Sequence, residues 1–443
     1  MQYGRNAKHS RKKVLSMPIK PLSEQSAAEL SALLADTKAA YEAFQAKKLS
    51  LNMARGKPGP EQLDITMPLL NALPADCDPH SESGDDTRNY GLLAGITEAR
   101  KLFADVLGAK PEEVFAGGNS SLELMFACLQ IAYVKGIAGC KPWSEQGKIK
   151  FLCPVPGYDR HFALTEYFGA EMIPVPTDEN GPDMEIVKQY VENDPAVKGI
   201  WCVPVYANPT GIVYSDDTVR AFAALKPAAK DFRIFWDNAY CIHHLVENPK
   251  TPLTINAACE ETGNRGIFYQ FVSTSKVTFP GAGVAAMNTA KENLDELMKH
   301  LGIQTIGFDK TNQLRHVRFF GNAENMKKHM EKHRAILAPK FAVVLDTLEQ
   351  EIAPLGIGRW TKPEGGYFVS FNAPNGTAKR IVQLCKDGGV TLTGAGATYP
   401  YKNDPDDSNI RIAPTYPSVD ELKQAMELFC IAVKYAALEQ LVK

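Results

Sequence analysis

A chain of 443 residues exceeds what one hydrophobic core usually serves, so a large domain with a smaller companion is expected. A formal net charge of −2, with 44% hydrophobic and 23% charged residues, excludes a strongly basic nucleic-acid surface, and no apolar run is long enough to span a bilayer, which leaves small molecules as the expected partners. Nine cysteines without a C-x-x-C pair and histidines without H-E-x-x-H spacing predict the reduced thiols of a cytoplasmic protein and no metal site.

In chain order, the first sixteen residues carry Arg5, Lys8, Arg11, Lys12 and Lys13 with no apolar run behind them. They predict a disordered extension and not a secretory signal, with Met17 the more natural start. The capping-box pattern Ser26-x-x-Glu29 then opens an amphipathic helix with Leu30, Leu33, Leu34, Thr37, Tyr41 and Phe44 on one face. Between about residues 95 and 275, helical patterns alternate with the apolar runs VFAGG, KIKFLCPVP, AEMIPVP, KGIWCVPV, FRIFWDNAY and FYQFVSTS. That alternation predicts an α/β fold with a mostly parallel sheet wrapped by helices, in which ligands bind beyond the carboxyl ends of the strands. A helical pattern from about Ala323 to Ile352 follows, with Pro339 expected to kink or break it. Strand-like GGYFVSFNA and SNIRIAP and a closing helix from Ser418 complete a smaller α+β unit. The expected boundaries are an extension over 1–16, an N-terminal arm and part of the small domain over 17–65, a large domain over 66–322 and a small C-terminal domain over 323–443.

Polar punctuation falls at the expected strand ends, and its pieces are individually ordinary. An isolated lysine after a strand is usually solvated, an Asp there can be a helix N-cap, and N-P-x-G is a common turn. Together, however, RGKP, RNYGxxxG, GGNSS, PGY, NPTG, DNAY, SxSK and NIRIAP occur in the order seen in fold-type I pyridoxal phosphate enzymes. Over roughly residues 50 to 415 the chain resembles a class I-type aminotransferase, closest to a divergent bacterial aspartate aminotransferase subgroup.

The resemblance implies a role for each motif. Lys276 would hold pyridoxal 5′-phosphate as a Schiff base and move the substrate α-proton. Asp237 would pair with the pyridine nitrogen, while Tyr240 and Asn208 would bond the ring oxygen and Tyr158 would stack on the ring. Gly118, Asn119, Ser120 and Ser121, before a helix, and Ser273 would hold the phosphate. Many relatives add an arginine in the P-G-x-R-x-G segment, whereas this chain reads Pro280-Gly281-Ala282-Gly283, so a lysine, another arginine, or a helix end with hydroxyls must compensate. Tyr90 would reach across a homodimer to the partner's phosphate, making the active sites shared. Arg411 would clamp the substrate α-carboxylate, which Gly56 lets the backbone approach. The implied reaction is ping-pong transamination between amino acid and 2-oxo acid, aspartate and 2-oxoglutarate first, with Arg55 and then Arg315 as candidates for the distal carboxylate. Transamination of aromatic or other amino acids, a β-lyase on the same scaffold and a non-catalytic regulator are the alternatives; the last lacks an appended DNA-binding segment.

Overall fold

A computed structural model describes residues 20–442, so the extension expected over 1–16 and Met17 lie outside the described residues. Eight strands form the principal sheet in the order Val114–Ala116, Ala285–Asn288, Phe268–Ser273, Arg233–Asp237, Val197–Cys202, Lys150–Val155, Glu171–Asp178 and Gly181–Pro182. Pairing is parallel from Phe268–Ser273 through Glu171–Asp178 and antiparallel at both margins. Strands this apolar are buried on both faces, and successive residues alternate between two cores. Phe151, Trp201, Phe235 and Phe271 enter one, while Leu152, Ile200, Ile234 and Trp236 enter the other.

A further core joins the two chain ends. The helix Ala27–Gln45, opened by the Ser26/Glu29 capping box, lays Tyr41 and Phe44 against the closing helix Val419–Leu441, itself capped by Ser418 and Glu421. An antiparallel sheet of Arg359–Trp360, Val369–Asn372 and Asn409–Ile412 supplies Val369, Phe371, Ile410 and Ile412 to the same core. Of the kink or break expected at Pro339, the break does not occur: the helix Ala323–Glu351 runs through that proline. Leu337, Lys340 and Phe341 keep its buried face continuous across the ring, and this packing outweighs one missing backbone donor. Among the described residues no helix is long and apolar enough to cross a membrane.

Candidate active site

Five chain segments deliver polar side chains to one edge of the large sheet. Asp237 is the last residue of Arg233–Asp237, and Ser273 the last of Phe268–Ser273, which runs into the 3-10 turn Thr274–Lys276. Tyr158 precedes the helix Asp159–Tyr167, Asn208 follows Val197–Cys202, and Ser120 caps the helix Ser121–Lys135 by accepting from the Leu122 amide at 3.2 Å. These segments enclose a cavity of about 200 Å³ lined by Ser120, Ser121, Tyr158, Asn208, Asp237, Tyr240, Ser273, Ser275 and Lys276. It opens into an outer pocket of about 600 Å³ that shares Tyr158, Asn208, Tyr240 and Lys276 and adds Arg55, Gly56 and Arg411.

The inner cavity contains one acid and one base. Burial holds the Lys276 ammonium below its ordinary pKa, and the Asp237 carboxylate opposes that shift. The Lys276 Nζ lies 4.8 Å from the centre of the Tyr240 ring. Asp237 is 3% exposed; its Oδ1 accepts from the Ala239 amide at 3.2 Å and its Oδ2 lies 3.1 Å from His161 Nε2. His161 is stacked on Trp201 with ring centroids 4.3 Å apart, so its orientation is fixed by packing. Burial raises the Tyr240 hydroxyl well above its ordinary pKa and Tyr158 to about 12, which keeps both as donors at neutral pH.

Arg411 sits where the two cavities meet. Flanked by Ile410 and Ile412, which enter the core, its side chain leaves the opposite face of the strand. Nη1 donates to Asp159 Oδ1 at 2.9 Å and Asn208 Oδ1 at 3.2 Å, Nη2 donates to Thr393 Oγ1 at 3.2 Å, and the guanidinium lies 4.9 Å from the Phe368 ring centre. Nε is buried without a protein partner. An unsatisfied donor on a buried cation beside a cavity is suited to a carboxylate. Gly56 completes this wall, since a Cβ there would come within 2.4 Å of the Phe368 ring.

Three groups of expected residues line neither cavity. Gly118 and Asn119 shape the phosphate-side loop without lining the cavity: Gly118 has φ +70°, a Cβ on it would meet Glu123 Oε2 at 2.6 Å, and the Asn119 carbonyl accepts from Ser275 Oγ at 3.3 Å. Tyr90 is 82% exposed and lies outside the site of its own chain. Arg315 does not line either cavity; it stands on the helix Lys310–Phe320, where it bonds Asn312. The outer pocket instead holds Arg160 and Lys402, which with Arg55 and Lys57 enter no ion pair among the described residues. Gly283 is explained by crowding: a Cβ there would stand 2.9 Å from Thr274 Oγ1 and 3.2 Å from the Phe279 carbonyl, leaving no path for an arginine. Around the cavity, the hydroxyls of Ser120, Ser121, Ser273 and Ser275 and a helix N-terminus stand in its place, with Lys276 the one lining cation.

Residues missed at the level of sequence include His161, Asp159, Thr393 and Phe368. His161 stands three positions after Tyr158, one helical turn on, and that spacing was the available signal. His329 and His333 stand at H-x-x-x-H spacing within Ala323–Glu351, a metal-compatible pattern present in the sequence, but among the described residues no cluster of three metal-ligating side chains forms.

The chain is similar to known proteins over most of its length. A family model described as aspartate amino-transferase matches residues 25–443. An aspartate aminotransferase of Corynebacterium glutamicum is 46% identical over 405 residues, covering 91% of this chain and 93% of that protein. A crystal structure of an aspartate transaminase from the same organism superposes with TM-score 0.92 at 45% identity, covering 95% of this chain and 99% of that one. The α-aminoadipate aminotransferase of Thermus thermophilus, solved with N-(5′-phosphopyridoxyl)-L-leucine, shares the fold with TM-score 0.69 at 20% identity over 90% of this chain and 95% of that one.

Proposed function

The chain belongs to the aspartate amino-transferase family, and from that premise we propose that it transfers the amino group of aspartate to 2-oxoglutarate, using pyridoxal 5′-phosphate held in the inner cavity and joined to Lys276. Aminotransferase activity comes with the family; the donor, the acceptor and the residue roles are our assignment. The observation that carries it is that Lys276 and Asp237 line one cavity together with a helix N-terminus, at Ser120 and Ser121, and the hydroxyls of Ser273 and Ser275.

The residues fit that cofactor. Ser120, Ser121, Ser273 and Ser275 would hold its phosphate, Asp237 the protonated ring nitrogen, Tyr240 and Asn208 the ring oxygen, and Tyr158 the ring face. When bound, the group supplies an aldehyde that condenses with amines and a ring that draws in the electrons of a bond broken at the substrate α-carbon.

The chain does the rest. Burial favours the neutral amine of Lys276, the form that attacks and that takes the α-proton. His161 and the Ala239 amide hold the Asp237 carboxylate in place, so its negative charge keeps a proton on the facing nitrogen. Arg411, which lines the outer pocket, would bind the α-carboxylate of the substrate and so orient the bonds at its α-carbon. A second carboxylate fits the outer pocket, where the acid Asp159 is paired with Arg411 and Arg55, Arg160 and Lys402 enter no ion pair among the described residues. Exposed Tyr90, with Met67, Leu70, Ile303 and Ile306 also exposed, supports a homodimer in which Tyr90 serves the neighbouring site. The free cysteines fit a cytoplasmic setting.

Product analysis tests the reaction. Aspartate and 2-oxoglutarate should give glutamate in equal amount to the aspartate consumed. Alanine and carbon dioxide formed from aspartate in place of glutamate would mean a lyase that breaks the bond to the β-carboxylate.

A further inference from the structure

Beneath Lys276 lies a buried polar cluster that the reaction does not use. The carbonyl of Lys276 accepts from Tyr367 Oη at 3.4 Å and lies 3.3 Å from His243 Nε2. The next carbonyl, of Val277, lies 3.1 Å from His333 Nε2 and 3.2 Å from His329 Nε2. Gln62, in the short helix Pro60–Asp64, joins both: its Nε2 stands 2.9 Å from His333 Nδ1 and 2.9 Å from Tyr367 Oη. Gln62 and Tyr367 are 0% exposed and His333 is 1% exposed.

The hydrogen positions follow from the donors. Gln62 Oε1 accepts from the Gly59 amide at 3.1 Å, which fixes the side-chain amide and aims its two N–H groups at His333 and Tyr367. His333 Nδ1 therefore accepts, its proton resides on Nε2, and Nε2 donates to the Val277 carbonyl. The Tyr367 oxygen accepts from Gln62 and donates to the Lys276 carbonyl. His329 Nε2, 3.1 Å from Thr66 Oγ1 and 3.2 Å from His333 Nε2, accepts in turn. Two facing imidazole nitrogens at this separation would also suit a metal ion, but among the described residues no third His, Cys, Asp or Glu joins them.

We propose that Gln62, His333 and Tyr367 are positioning residues that fix the Lys276 and Val277 carbonyls and so set where the Lys276 amine enters the cavity. The turn Thr274–Lys276 is only three residues long and needs outside support, because a short 3-10 turn makes few bonds of its own. His333 belongs to Ala323–Glu351, whose later residues Phe341, Val344 and Leu348 sit in the core built from the chain ends, so the tether ties the lysine to that core.

The proposal rests on Lys276 as the cofactor lysine, and the test separates the two. Holoenzyme variants Gln62→Glu, His333→Leu, His333→Gln and Tyr367→Phe are compared by kcat, KM, thermal midpoint and pH titration of the visible cofactor band. A carboxylate at 62 cannot donate to His333 Nδ1, so Gln62→Glu reverses the proton order. Gln62→Glu and His333→Leu should lower kcat by about tenfold with KM within about twofold, and move the band's pH midpoint. His333→Gln, which returns an N–H near Val277, should recover most of both. Should the Leu variant fail to accumulate, Tyr367→Phe gives the same readings with one hydroxyl removed. A fall in thermal midpoint with kcat and band unchanged would overturn the proposal, as would one zinc ion per chain in the purified holoenzyme. A wild-type band with no link to Lys276 would instead overturn the reading of the site.

Discussion

The two cavities that meet at Lys276 are built on opposite plans. The inner one is walled by strand ends and by side chains locked in pairs: Asp237 on His161 and His161 on Trp201, both buried, and the part-buried Ser273 on Ser275. The outer one is walled by loops and carries exposed cations, with Arg411 the exception that reaches inward. Reaction chemistry needs groups held to within a fraction of an ångström, and strand ends hold them; choice among substrates needs only charge within reach, and loops can supply that.

That contrast can be broken at several points. Lys276→Ala should lower turnover by about 10⁴-fold while the protein still binds cofactor, since it removes a base and nucleophile but none of the serine cup. Steady-state kinetics and visible spectra of the purified variant check this, and full activity would remove the catalytic role. Arg411→Ala should reduce kcat/KM by about 10²-fold for mono- and dicarboxylic donors alike, because every amino acid presents the same α-carboxylate. A loss confined to aspartate would move Arg411 into the outer group.

Acid sharpens the contrast, because the floor beneath the inner cavity depends on neutral histidines. Burial lowers His316 and His329 to about 4 and His333 to about 3, against an ordinary value of 6.5. As pH falls below 6.5 the unfolded chain takes up protons that the folded chain refuses, so stability drops until the folded pKa near 4 is reached. Each of His316 and His329 accounts for up to about 3 kcal/mol over that window. Chemical denaturation at pH 7 and pH 4.5 measures the loss; equal stability at the two values would mean these imidazoles are solvated. The smallest effect belongs to the outer pocket. Lys402→Met and Arg55→Met should each cost about fivefold in kcat/KM for aspartate and leave alanine unchanged, since exposed charges are screened. Equal penalties for the two donors would discard the distal-carboxylate role.

Much of the inner cavity was legible in the sequence. Apolar runs of strand length ended at Asp237 and Ser273, and such ends share one edge in a parallel sheet, so the loops that follow converge. The outer pocket was less legible. Lys402 stands in no motif, and its presence depends on a turn in which Tyr401 and Lys402 both take φ near 56° while the Tyr401 hydroxyl accepts from the Met172 amide. Arg315 drew attention by type alone, and helix packing turned it toward Asn312. The partners of His333 were out of reach for a similar reason: Gln62 lies 271 residues away, and no local pattern links them. Gly283 shows the same limit, because the crowding by Thr274 exists only after folding.

Catalysis at this site depends above all on one covalent partnership, and borohydride reduction of the holoenzyme followed by peptide mass spectrometry tests it directly. The peptide containing Lys276 should carry the phosphopyridoxyl mass, and the visible band should vanish as it forms. A label on another lysine, or an unmodified Lys276 in protein whose cofactor has been fully reduced, would contradict it.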